Sequence, residues 1–256
     1  MKSKTILKAM YVLNLILLIC PNLGAVKIKA PRNTPGTAIF VMANINPITI
    51  ESIQFIYNNH GLKLNIQVPQ LHGFKDGKFE RNLNTKLVAE AKNRKRQVIK
   101  EAMLYNQDIV GNDISAIPFE YIESYSIIPS ANPYTTIEFF RYQYSGGAHG
   151  ISNVHYMVID TEIPQIIELN DLFKETVNYT SIINDSIKKQ IALRTEAGEY
   201  FFTGSDAFQS IKENQPFFIN EKGDLVIVFN VYEIAPYAAG TIFFNLPYQA
   251  ISPYMK

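Results

Sequence analysis

A chain of 256 residues with 47% hydrophobic side chains has enough apolar material for one or two packed domains. Its 24 Lys and Arg against 23 Asp and Glu give a formal charge of +1, without the basic excess of a nucleic-acid binder. A single cysteine, Cys20, excludes a disulfide framework and any multi-thiolate metal site.

The first residues set an address. Lys2, Lys4 and Lys8 form a basic start, and Ala9 to Ile19 is an apolar run broken by Asn14. Pro21, Asn22 and Gly24-Ala25 then supply a turn and the small residue a signal peptidase prefers. The run is about 11 residues, whereas a membrane-spanning helix needs about 20. Residues 1–25 therefore read as a signal peptide cut after Ala25, leaving no transmembrane anchor and a secreted or periplasmic protein. Lipidation of Cys20 is disfavoured by Ile19 before it and Pro21 after it. Without the leader the chain has no cysteine, and its basic count falls from 24 to 21 against 23 acids, a charge near −2.

Residues 26–47, with Pro31, Pro35, Gly36 and Pro47, read as an extended linker in which Thr37 to Ala43 is apolar enough for a strand. From Ile48 the pattern turns regular. Glu51 to Tyr57 and Leu62 to Val68 are strand-like runs around Asn58-Asn59-His60-Gly61, a turn suited to positive φ. Leu62, Leu64, Ile66 and Val68 alternate with Lys63, Asn65 and Gln67, so one face is buried. Phe79 to Asn106 carries Leu83, Leu87, Ala91, Val98, Ala102 and Tyr105 near helical spacing. Within it, Lys92, Arg94, Lys95, Arg96 and Lys100 read as a solvated face, with an anionic-polymer contact as the sharper alternative.

Gly111 to Pro118 closes the helix. Strands are expected at Phe119 to Ile128, Thr135 to Ser145 and Asn153 to Asp160, with Asn132-Pro133 and Gly146-Gly147-Ala148-His149-Gly150 as turns. In the last third, Leu169 to Lys174 and Phe208 to Lys212 read as helical turns and Tyr179 to Arg194 as a helix with Ile182, Ile183, Ile187 and Ile191 on one face. Strands follow at Leu225 to Ile234 and Thr241 to Leu246. The order predicts an α+β fold: antiparallel sheets with a long helix in the N-terminal part, and a helix plus sheet in the C-terminal part. We place one α+β domain at 48–165 and a second at 166–256.

Candidate chemistry is thin. His149 and His155 lack a third ligand or an HExxH pattern, so a turn-capping His149 is preferred to a metal site. Ser145-Gly-Gly lacks the strand–turn–helix context of a nucleophile elbow. Glu138, Asp160 and Glu233 could form a carboxylate pair for glycan hydrolysis, but linear sequence does not bring two together. Asn178-Tyr-Thr and Asn184-Asp-Ser match a glycosylation pattern and read as exposed helix residues.

Three segments carry a resemblance: Tyr144-Ser-Gly-Gly-Ala-His-Gly150, Leu169-Asn-Asp-Leu-Phe173, and Phe217-Phe-Ile-Asn through Phe229-Asn-Val-Tyr-Glu-Ile-Ala-Pro-Tyr-Ala-Ala-Gly240, followed by Leu246-Pro-Tyr248. Together they resemble a bacterial family of extracytoplasmic domains of unknown function. Its best-known members are the outer region of the anti-sigma factor RsiV and the N-terminal region of the peptidoglycan deacetylase PdaC. The hairpin and long helix from Ile48 to Asn106 look like the domain that usually precedes it. The resemblance implies an envelope-exposed sensor or binding module, which in RsiV binds lysozyme and in PdaC accompanies a wall-modifying enzyme. No sigma-binding segment is expected before the apolar run and no deacetylase domain after Lys256.

The expectation is a non-enzymatic module that binds lysozyme or a peptidoglycan-associated component through His149, Tyr232, Pro236 and Tyr237. It has no catalytic residue, cofactor, metal or nucleic-acid partner, and its oligomeric state is open. A peptidoglycan-acting hydrolase using a carboxylate or His site is the alternative.

Overall fold

Strands β1 (Thr49–Asn58) and β2 (Leu62–His72) form the hairpin that the alternation requires, with Asn58 paired to Lys63. This computed structural model describes residues 48–111 and 118–256; the expected leader, the expected linker with its strand at 37–43, and most of the segment closing the long helix lie outside the described residues. The hairpin turn is made by a side chain instead of by positive φ. Asn59 Oδ1 accepts the N–H groups of Gly61 and Leu62 at 2.9 and 2.7 Å. Gly61 is small for another reason: a Cβ there would overlap the side chain of Asn106, whose Nδ2 donates to the Gly61 carbonyl at 3.1 Å.

Helix α1 (Gly77–Gly111) extends beyond the expected range at both ends. Asp76 caps it, its Oδ1 accepting from the N–H groups of Lys78 and Phe79 at 2.8 and 3.1 Å. Leu83, Leu87, Ala91, Val98 and Ala102 are buried against Leu62, Leu64, Ile66, Val68 and Leu71 of β2. The apolar stripe of the helix therefore meets the apolar face of the hairpin.

Strand β3 (Phe119–Ile128) runs parallel to β2, because α1 carries the chain back along the sheet before β3 begins. It is the one departure from antiparallel pairing in this sheet. Strands β4 (Tyr134–Tyr144), β5 (Ile151–Asp160) and β6 (Gln165–Ile167) follow antiparallel, giving six strands in chain order.

Asn178 caps helix α2 (Tyr179–Glu196) by accepting the Ser181 N–H at 3.2 Å, and Ile183 and Ile187 are fully buried. Strands β7 (Phe217–Ile219), β8 (Leu225–Phe229) and β9 (Ile242–Leu246) form a second, antiparallel sheet. All five residues of β8 are buried. Leu225, Ile227 and Phe229 pack with Ile183, Ile187 and Phe244, while Val226 and Val228 meet Tyr156 of β5. The α+β class stands.

Two further local expectations fail. Residues 208–212 form no helix; Asn184 ties them to α2, accepting the Ile211 N–H at 2.9 Å and donating to Ser210 Oγ at 2.9 Å. Asn184 is thus a structural bracket, not a free surface residue. Strand β8, expected to run to Ile234, stops at Phe229, for a reason that lies in the site described below.

The β7–β8 turn is fastened by Asp224. Its Oδ1 accepts the Tyr248 N–H at 2.8 Å, and its Oδ2 accepts from Asn245 and Asn220 at 3.1 and 3.3 Å. These bonds, the Tyr248 N–H first, hold its carboxyl below the ordinary value of 3.8. A group lowered in the folded state stabilises fully above its unfolded pKa, and that stabilisation is lost as pH falls through the folded value. Urea midpoints measured from neutral pH to below 3.8 should therefore fall on acidification, and Asp224→Asn should lose part of that acid sensitivity.

Candidate functional site

The loop between β4 and β5 is shaped by its glycines. Gly146 and Gly147 take φ of 95° and 90°, a region L side chains avoid, and a Cβ on the buried Gly150 would overlap the Tyr142 ring. Tyr144 Oη donates to the Gly147 carbonyl at 3.0 Å, holding the loop onto the strand end.

The chain leaving β8 is brought to this loop by Asn230. Its Oδ1 accepts the Val154 N–H at 2.7 Å and its Nδ2 donates to the Val154 carbonyl at 3.1 Å. One side-chain amide thus takes the place of a neighbouring strand beside β5, which ends β8 at Phe229. Glu233 completes the bend by accepting the Asn230 N–H at 2.7 Å. Tyr232, within that bend, has φ 65°, the one positive value among the described non-glycine residues. Such a conformation is uncommon for a bulky residue.

Tyr237 joins the two segments. Its hydroxyl donates to the Gly150 carbonyl at 3.1 Å, and its ring stacks on His149 with centroids 4.2 Å apart and planes 24° apart. The Tyr232 ring lies 5.6 Å from the Tyr237 ring, tilted 36°. His149, Tyr237 and Tyr232 therefore form a run of three rings. Tyr232 is 51% exposed, His149 is exposed and Tyr237 is half-buried. Pro236 stays outside this run; it accepts the Ala239 N–H through its carbonyl and lines a separate groove with Arg194, Tyr200 and Phe243.

The remaining candidates are dispersed into local roles. His149 Nδ1 lies 3.0 Å from the Gly150 carbonyl, whereas His155 sits in β5 opposite Phe139. No three His, Cys, Asp or Glu side chains among the described residues are grouped to hold a metal ion. Glu233 accepts from Lys212 Nζ at 2.6 Å, Asp160 Oδ1 accepts the N–H groups of Glu162 and Ile163, and Glu138 accepts the Tyr156 hydroxyl at 2.6 Å. Ser145 is exposed in the loop, and the segment after it enters a strand.

One group of charges was not anticipated. Glu123 is 1% exposed on the helix-facing side of β3. It accepts from an Arg94 terminal nitrogen at 2.6 Å, Arg141 Nε at 3.1 Å and the Tyr121 hydroxyl at 3.0 Å. Burial, with the Glu123 charge second, pushes the Tyr121 hydroxyl up to about 12. Arg94 thereby leaves the expected solvated face, and Lys95 lies over the Phe55 ring at 5.9 Å, while Lys92, Arg96 and Lys100 stay exposed. The signal was present in the periodicity. Glu123 shares strand parity with Phe119 and Tyr121, Arg141 with Phe139, and Arg94 falls in the stripe of Ala91 and Val98.

Comparison with known proteins follows the same segments. Residues 57–152 match the family described as deacetylase PdaC, and residues 170–249 match the protein family of unknown function DUF3298. The anti-sigma-V factor RsiV of Bacillus subtilis (strain 168) is 26% identical over 194 residues, 74% of this chain, and the match spans 64% of RsiV. A DUF3298 member from Bacteroides fragilis NCTC 9343 superposes with a TM-score of 0.65 at 19% identity, covering 84% of this chain and 96% of that one. A DUF3298 protein from Pseudomonas aeruginosa PAO1 superposes at 0.55 with 13% identity, covering 83% and 95%. At these identities the two structures establish a shared fold. With a PdaC-type segment followed by a DUF3298-type segment, the chain is an RsiV-like and PdaC-like protein that carries a DUF3298-type region.

Proposed function

We propose that the chain is an exported, non-enzymatic recognition module that contacts a protein such as lysozyme, or a cell-wall component, through the surface formed by His149, Tyr237 and Tyr232. The observation that carries this reading is the ring run itself. Three adjoining aromatic rings, with His149 and Tyr232 open to solvent, are held by hydrogen bonds to the β4–β5 loop and to β5. Rigid aromatic side chains supply contact area at low ordering cost, and Tyr is enriched among residues that dominate binding energy. The left-handed Tyr232 backbone adds support, since such conformations gather at binding sites.

The basic, apolar leader supports export, and among the described residues no helix is long and apolar enough to cross a membrane. Lysozyme as partner rests on the likeness to RsiV. Against the hydrolase alternative, Glu233, Asp160 and Glu138 are each already engaged in a local contact.

Surface plasmon resonance with lysozyme, and co-sedimentation with purified wall sacculi, test the reading on the full chain. Tyr237→Ala should weaken binding by about 2 kcal/mol, roughly 30-fold. Tyr232→Ala, which removes an exposed ring, should weaken it by about tenfold with an unchanged melting temperature. Wild-type affinity in both variants would sink the proposal. Peptidoglycan turnover abolished by Glu233→Gln in a folded protein would replace it with the hydrolase.

A further inference from the structure

Beside the ring run, on the helix-facing side of β4 and β5, lies a cleft of about 400 Å³. Arg141, Gln143 and Asn153 form part of its lining, with Ser145, His149 and Ile151 around them. We propose that this cleft is a second binding site, which takes a carboxylate group, from the C-terminus of a short peptide or from an acidic sugar, on the terminal nitrogens of Arg141.

The argument starts behind the cleft. Glu123 fixes Arg141 through Nε at 3.1 Å, and Glu123 is itself fixed by Arg94 and Tyr121. The guanidinium is thus oriented from its buried side. Neither of its terminal nitrogens donates to a described residue, and the side chain is 37% exposed. A planar guanidinium held in this way matches a carboxylate with two parallel hydrogen bonds. Holding it in advance removes most of the ordering cost of binding.

Charge points the same way. The buried Glu123 carboxylate is shared between two guanidiniums, so it neutralises Arg141 only in part. Glu90 offsets Arg94 from the helix at 3.8 Å, and Glu101 reaches Gln143 at 3.5 Å; both contacts involve helix side chains, not the Arg141 terminal nitrogens.

The rest of the lining suits a small body attached to that carboxylate. Asn153 is the cross-strand partner of Arg141, and Ile151, 47% exposed, supplies an apolar wall. The volume falls within the range of small-ligand sites, about 300–1,000 Å³. The groove beside Pro236 offers no comparable donor. Arg194 there is bonded to both Glu199 oxygens and to the Phe243 carbonyl.

This site stands apart from the protein-contact reading, with which it shares His149. The full chain, labelled with 15N, is titrated with acetyl-alanyl-alanine, its C-terminal amide and glucuronate, following backbone signals by NMR. At least one of the two carboxylates should shift Ser145, His149 and Asn153 saturably, and the tighter of them identifies the source. The amide should bind at least about tenfold more weakly, and Arg141→Lys should lose at least about tenfold, as for one charge-assisted bond. Tyr232→Ala should leave these titrations unchanged, which separates this site from the ring surface. No saturable shift with either carboxylate, or wild-type affinity in Arg141→Lys, overturns the proposal. Should Arg141→Lys unsettle the fold, Asn153→Leu decides: carboxylate binding at wild-type strength there overturns it equally.

Discussion

Glu123→Ala is expected to lower the unfolding free energy by about 3–5 kcal/mol, the usual result of removing one partner from a buried ion pair. The reason is the asymmetry of the group. With the carboxylate gone, Arg94 and Arg141 lose the 1%-exposed acid that joins them, and the Tyr121 hydroxyl loses its acceptor. Arg94 keeps a contact with Glu90 at 3.8 Å and can turn partly toward water, which sets the loss nearer the lower bound. Denaturant unfolding of the wild type and variant measures it. A loss under about 1 kcal/mol would mean that the two guanidiniums reach solvent easily, and that Glu123 does not hold Arg141 in place.

Asn230→Ala should cost about 2–4 kcal/mol, since it strands both the N–H and the carbonyl of Val154, at about 1–3 kcal/mol for each unsatisfied group. The tether spans 76 residues of sequence, and no backbone strand replaces it at that point of β5. Two measurements check it. Denaturant unfolding gives the stability loss, and amide hydrogen exchange at Val154 should accelerate more than exchange in β2. Because the same amide carries the chain toward Tyr232 and Tyr237, partner binding should fall further in this variant than in Tyr232→Ala. Unchanged exchange at Val154 would contradict the assignment.

The elements that the sequence exposed were those with local periodicity. The alternation of Leu62, Leu64, Ile66 and Val68 matches their burial in β2, and the stripe from Leu83 to Ala102 matches the buried face of α1. Parallel pairing of β2 with β3 was not legible, because it depends on where a 35-residue helix returns the chain, and that is set by packing. Strand β7 is three residues long, too short for a pattern to form. The end of β8 was hidden for a different reason: residues 230–234 are apolar enough to continue a strand, and the tether that stops them is long-range.

The two segments of the ring run were conspicuous in the sequence, with His149 in one and Tyr232 and Tyr237 in the other. Their meeting was not, since it depends on the Tyr237 hydroxyl reaching the Gly150 carbonyl 87 residues away. Pro236 adjoins Tyr237 in the chain and lines a different groove.

Hydrogen–deuterium exchange of the full chain, alone and with saturating lysozyme, tests the central proposal most directly. It should show new protection at residues 145–150 and 231–240, with β1 unchanged. Protection confined to other elements, or none at saturation with either lysozyme or soluble wall fragments, would contradict a recognition surface built on His149, Tyr237 and Tyr232.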